Sequence, residues 1–271
     1  MDLKSRAAKI RLLALDLDGT LLLPDGTLSD RAANVLQRLS DRGMLIALTT
    51  GRPLDRAYEP HPVLRRAQYL IAVNGALVAD RDGNILLRRT IPGDRAAQLA
   101  ARLFAPENIV YVNALTALHI ASGNGHTLFG RPVTDLPTLL SDMAADGGDA
   151  LSVGVQLGDP ALFPAYEAMA AREYPELDTF RVDATGLELV PRGADKRTAL
   201  RMLCERHDLT PENVCALGDN DNDTQMLRFA GLGVAMGNSI ERAKRAADLV
   251  IGGNAHDAAA EFLELAFFGG V

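Results

Sequence analysis

The chain has 271 residues, enough for one large domain or two at roughly 150 residues each. Hydrophobic residues make up 48% and charged residues 23%, so a disordered, collagenous or coiled-coil chain is excluded; the formal net charge of −7 argues against nucleic acid as the main partner, because phosphate backbones want a basic face. The two cysteines, Cys204 and Cys215, form no CxxC pair and suggest neither a zinc site nor a disulfide framework. No apolar run approaches the ~18 residues of a membrane span. Residues 1–11 are charged and carry no signal-peptide core, so a cytoplasmic protein without membrane or nucleic-acid partners is expected.

Taken in chain order, residues 12–15 read as a buried strand. Ser29 then caps a helix whose apolar positions are Ala32, Val35, Leu36 and Leu39. Residues 45–48 and 69–73 are further strands, apolar on both faces, which suits a parallel sheet covered by helices. Asn74-Gly75 and Asp82-Gly83 are turn signals, with strand-like residues 76–79 and 85–87 on either side of the second. From there the pattern changes. A helix opens at Pro92-Gly93-Asp94, strands follow at 109–112, 118–121 and 151–157, and Asp159-Pro160 starts a helix reaching about residue 173. Strands at 180–182 and 187–190 complete an α+β stretch of antiparallel character. The last third returns to alternation: a helix at 198–207, a strand at 214–217, a short helix at 224–230, strands at 232–234 and 249–251 around a helix at 241–247, and a final helix capped by Asn254. The expected fold is α/β: a doubly wound parallel-sheet core, residues 1–83 and 189–271, interrupted by an inserted α+β domain, residues 84–188, on two linkers that allow hinging.

Four short polar runs carry the chemistry. Asp16-Leu17-Asp18-Gly19-Thr20 follows the first strand, where open α/β sheets bind ligands. Gly218-Asp219-Asn220-Asp221-Asn222-Asp223 follows the 214–217 strand and ends at the same sheet edge. Acidic groups gathered there repel one another without a cation, and an oxygen-only donor set favours Mg²⁺. A calcium EF-hand loop is excluded, because its sixth position would be Thr224 instead of glycine and its twelfth Ala230 instead of glutamate. Thr49-Thr50-Gly51-Arg52 follows the second strand and suits a phosphate oxygen through a hydroxyl and adjacent N–H groups. Lys196 opens a helix after Pro191. No GxGxxG follows the first strand and no Walker A loop is present. His61, His119, His126, His207 and His256 show no metal-ligand spacing.

In this order and spacing the four runs resemble the haloacid dehalogenase superfamily of phosphatases. Asn74-Gly75-Ala76 and Val234-Ala235-Met236-Gly237-Asn238 resemble its Cof-type branch (class IIB, with a C2B-type cap between the second and third motifs). The resemblance implies a Rossmann-like core and hydrolysis of small phosphate monoesters, sugar phosphates foremost, with Mg²⁺. By the same resemblance, Asp16 is the nucleophile that becomes an aspartyl-phosphate and Asp18 the general acid and then base. Thr50 and Lys196 hold the phosphoryl oxygens, with Gly51, Arg52 and Asn222 beside them. Asp16, the backbone carbonyl of Asp18, Asp219 and Asp223 serve the metal. The sequence departs from the family where Arg197 replaces a usual glycine and where His256 and Ala258 replace a usual glutamate and glycine. Asn113, Asn124, His126 and Arg181 of the insert are candidates to read the leaving group. The alternatives are phosphotransfer to a sugar, as in related mutases, and non-catalytic binding of a phosphorylated ligand. The sequence leaves the oligomeric state open.

Overall fold

The computed structural model describes residues 3–54, 56–115, 117–123, 125–128, 130–131 and 133–269. The elements run α1 (Leu3–Ala7), β1 (Leu12–Asp16), α2 (Asp30–Asp41), β2 (Leu45–Thr49), β3 (Tyr69–Ala72), β4 (Leu77–Asp80) and β5 (Ile85–Arg88). Next come α3 (Gly93–Leu103), β6 (Ile109–Ala114), β7 (Leu118–Ser122), α4 (Leu136–Ala145), β8 (Ala150–Gln156), α5 (Phe163–Glu173), β9 (Leu177–Arg181) and β10 (Gly186–Pro191). The chain closes with α6 (Lys196–Arg206), β11 (Val214–Gly218), α7 (Thr224–Phe229), β12 (Leu232–Ala235), α8 (Glu241–Lys244), β13 (Leu249–Val250) and α9 (Ala258–Phe268).

Two compact units result. One runs up to Leu87 and resumes at Asp195; the other is Arg88–Ala194. The first holds an eight-stranded sheet in the order β13-β12-β11-β1-β2-β3-β4-β5. It is parallel from β13 to β3, and β4 turns back antiparallel on β3. β1, β2 and β11 are buried almost throughout, which explains their continuous apolar sequence. β2 lies on one side of β1 and β11 on the other, so the strand order reverses at β1. The carboxyl end of β1 is therefore a topological switch point, the crevice where such sheets bind ligands.

The second unit is a five-stranded antiparallel sheet, β7-β6-β8-β10-β9, with its own apolar core of residues such as Leu99, Val110, Val153, Phe163 and Leu189. The sequence placed the insert at residues 84–188. β5 joins the core sheet beside β4, and β10 continues pairing with β9 as far as Pro191, so the division falls later at both crossings.

Ser29 caps α2 as expected, its side chain accepting a hydrogen bond from Ala32 N–H at 2.9 Å. Asn254 does not cap the last helix. Its Nδ2 donates to the Leu22 carbonyl at 2.8 Å, and α9 starts only after Asp257, a left-handed residue at φ 56°. No helix among the described residues is long and apolar enough to cross a membrane.

Candidate active site

Asp16 is the last residue of β1, and the chain leaves it in one wide five-residue turn closed by Leu22 N–H on the Leu17 carbonyl at 2.9 Å. Gly19 sits in that turn at φ 79°, and a Cβ there would stand 2.4 Å from Asp219 Oδ2. Only glycine satisfies both the backbone angle and the approach of the Asp219 carboxylate. Thr20 Oγ1 donates to Asp219 Oδ1 at 3.0 Å, which ties the β1 turn to the β11 turn. Asn238 Nδ2 donates to the Gly19 carbonyl at 2.8 Å from the loop after β12.

Lys196 opens α6, whose N-cap Asp195 accepts from Thr198 N–H at 2.8 Å. The lysine is only 1% exposed, although lysines are almost never fully buried unless paired. Its Nζ donates to Asp16 Oδ1 and to Asp223 Oδ1, each at 2.6 Å. The other Asp223 oxygen accepts from the N–H groups of Asp219 and Asn220 at 2.9 and 3.1 Å. Asp223 thus clamps the loop after β11 and anchors the lysine at once.

The carboxylates of Asp16, Asp219 and Asp223 each offer an oxygen within 4.8 Å of the others. Three carboxylates around one ammonium leave two negative charges unbalanced. The effect on protonation is large. Burial, then Asp223, pushes the Asp16 carboxyl well above its ordinary range, against the opposing pull of Lys196. Burial, then Asp223, raises Asp219 to about 6. Burial alone would lower the Lys196 ammonium, but Asp16 and Asp223 outweigh it and hold the lysine charged. An all-oxygen donor set carrying this surplus charge fits a hard divalent cation such as Mg²⁺, so these residues could hold one.

These shifts make Asp219 a liability to the metal-free fold. Its carboxyl holds a proton in the folded state up to about pH 6, against a reference value of 3.8. The folded state therefore binds more protons across that window, and stability falls as pH rises through it. Above pH 6 the whole penalty is present. Asp219→Asn should remove it, adding about 1–3 kcal/mol in chelator at pH 7.5 and little at pH 4. Thermal melts of both proteins at the two pH values check this; equal melting temperatures at pH 7.5 would contradict it.

Asp18 faces elsewhere. Its side chain is 56% exposed, and Arg52 grips it with Nε on Oδ2 at 2.7 Å and Nη2 on Oδ1 at 2.6 Å. The Asp18 carboxylate thus stands outside the Asp16–Asp219–Asp223 cluster. Arg52, assigned by sequence to the phosphate, is occupied by Asp18. Thr50 is buried, and its Oγ1 accepts from Arg52 N–H at 3.0 Å. Asn222 Nδ2 donates to Asn74 Oδ1 at 2.8 Å. Gly51 lies against the Asn74 side chain, 3.4 Å from where its Cβ would be.

Asn74, Thr20 and Asn238 escaped the site assignment. For Asn238 and Asn74 the signal was present, since both stand in the runs that resemble the Cof-type branch. Thr20 was visible only as part of the first motif. Arg197 is half exposed, its Nε 3.8 Å from Asp195 Oδ1. In the inserted unit, Asn113 is buried, with Nδ2 donating to Ser152 Oγ at 2.8 Å and Glu188 Oε1 at 3.2 Å. Arg181 pairs bidentately with Glu167, each contact 2.8 Å, and His126 is exposed. Asn124 lies outside the described residues.

Residues 13–263 match the family of haloacid dehalogenase-like hydrolases. The chain is 28% identical over 261 residues to the 5-amino-6-(5-phospho-D-ribitylamino)uracil phosphatase YitU of Bacillus subtilis, covering 93% of this chain and 96% of that relative. It is also 28% identical over 248 residues to the HMP-PP phosphatase of an Enterobacter species, covering 85% of each. Among solved structures, a haloacid dehalogenase-like hydrolase from Bacteroides thetaiotaomicron superposes with a TM-score of 0.80 at 26% identity, over 94% of this chain and 98% of that one. The chain belongs to the haloacid dehalogenase-like hydrolases, a family of enzymes, and within it to the Cof-type phosphatases.

Proposed function

We propose that the chain is a Mg²⁺-dependent phosphomonoesterase for small phosphorylated metabolites, sugar phosphates foremost, working through an aspartyl-phosphate on Asp16. The observation that carries the reading is the buried Lys196 ammonium held between Asp16 and Asp223, with the Asp219 carboxylate alongside. A purely structural ion pair needs one carboxylate per lysine; the surplus negative charge here is explained by a cation. The relatives' names, both phosphatases of small phosphate compounds, point the same way.

In this reading Asp16 Oδ1 stays on Lys196 while its other oxygen attacks phosphorus. The new O–P bond forms as the bond to the leaving alcohol breaks. Asp18, as the acid, gives its proton to the departing oxygen. Asp18 then takes a proton from water as that water attacks phosphorus, breaking the bond to Asp16 and releasing phosphate. Arg52 must release Asp18 for this, and its guanidinium is then free for the phosphoryl group. Lys196, Thr50, the Gly51 N–H and Asn222 hold the phosphoryl oxygens, so catalysis is mainly positioning and charge. Bound Mg²⁺, held by the carboxylates of Asp16, Asp219 and Asp223 and the Asp18 carbonyl, supplies positive charge against the repulsion between carboxylate and phosphate.

The test is phosphate release from a panel of sugar phosphates, pyridoxal phosphate and nucleotides, with Mg²⁺ and with chelator. Release that needs the metal, and favours sugar phosphates, is expected. A folded protein that releases phosphate from no ester would contradict the reading and turn attention to a phosphotransferase or a phosphate-ligand binder.

A further inference from the structure

Three consecutive residues, Val73, Asn74 and Gly75, have positive φ angles of 46°, 55° and 101°. A β-branched valine in this region is a genuine outlier, and such strain costs on the order of 1–3 kcal/mol per residue. It persists only where surrounding structure over-determines it. Here the surroundings are three of the four motif runs, at Thr50–Arg52, at Asp195 beside Lys196, and at Asn222. Asn74 N–H donates to the Thr50 carbonyl at 3.1 Å, and Val73 N–H to the Arg52 carbonyl at 3.2 Å. Gly75 packs so closely on α6 that a Cβ would lie 2.5 Å from the carbonyl atoms of Asp195, the residue before Lys196. The Asn74 side chain, fully buried, lies on Gly51 and accepts from Asn222 Nδ2.

The Asn222 amide has no other anchor on its oxygen side: Oδ1 is buried without a hydrogen-bond partner among the described residues. The bond to Asn74 Oδ1 therefore sets which end of Asn222 carries N–H groups. One of the two Nδ2 hydrogens goes to Asn74, and the second remains for an acceptor. We infer that the Val73–Gly75 turn frames the phosphoryl-binding loops and that Asn74 is a positioning residue, aiming the Asn222 amide and setting the Thr50–Gly51 turn for a phosphate oxygen. This rests on the phosphatase reading.

Asn74→Gly isolates the side chain, because glycine adopts a φ of 55° without strain and leaves the backbone bond to the Thr50 carbonyl in place. The expected result is a loss of about 10- to 100-fold in affinity for inorganic phosphate, measured by calorimetry in Mg²⁺ buffer, the loss of one good hydrogen bond to an anion. kcat/KM should fall by a similar factor, with the melting temperature near wild type. Adding Asn222→Ala to Asn74→Gly should cost less than twofold more, since Asn222 is already misaimed. Phosphate affinity within twofold of wild type in Asn74→Gly overturns the inference, whatever the melting temperature does. Multiplicative losses in the double variant overturn it too. If the wild type binds phosphate but hydrolyses no ester, the phosphatase reading fails and the phosphate affinities alone decide the role of Asn74. If the wild type binds no phosphate, both fail.

Discussion

Asp16→Asn should lower kcat/KM by about 10⁴-fold or more while leaving the fold intact. An amide keeps the shape and an oxygen for Lys196 Nζ but lacks the nucleophilic carboxylate. Stability should move the other way. Burial and Asp223 push the Asp16 carboxyl upward, so ionising it costs the metal-free protein stability, and the neutral amide avoids that cost. A variant that melts at or above the wild-type temperature and yet turns over nothing separates chemistry from folding. Turnover within tenfold of wild type would contradict the nucleophile assignment.

Lys196→Met should lose both. The methionine fills a similar volume but leaves Asp16 and Asp223 buried without their shared cation. Breaking a buried ion pair from one side costs about 3–5 kcal/mol, because the abandoned charge stays out of water. Asp223 bears most of this, since its second oxygen is committed to the Asp219 and Asn220 N–H groups and cannot swing to solvent. Activity should fall with it, as the ammonium that draws the phosphoryl oxygens is gone. Denaturant titration checks the stability loss, read as a lower midpoint at an unchanged slope. A midpoint equal to wild type would show that the buried triad contributes nothing.

The contrast between these variants follows from position in the chain. The motif loops were legible because each is a short polar run immediately after a buried apolar strand or at a helix start, and parallel strands bring such ends to one edge. What joins them was not legible. Asp18 and Arg52 stand 34 residues apart, and nothing local says that their side chains pair. The same holds for Thr20 with Asp219 and Asn222 with Asn74, contacts across 199 and 148 residues. Sequence marked Asn74-Gly75 as a turn, but the positive φ of Val73 comes from the tertiary packing on Thr50, Arg52 and Asp195. Asn254 misled because an asparagine before an apolar stretch reads as a cap, whereas here its amide satisfies the buried Leu22 carbonyl. Helix α4 escaped notice because Leu136, Leu139, Leu140 and Met143 sit among Pro137 and small polar residues without a sharp polar face.

The central claim is the covalent step on Asp16, and the most direct measurement is chemical trapping. Enzyme turning over a phosphate ester is quenched into hydroxylamine, which converts an aspartyl-phosphate to a hydroxamate, and its peptides are weighed. The hydroxamate is expected at Asp16, only when substrate is present, and not in Asp16→Asn. Steady phosphate release with Asp16 unmodified, or with the adduct on another residue, would contradict the account.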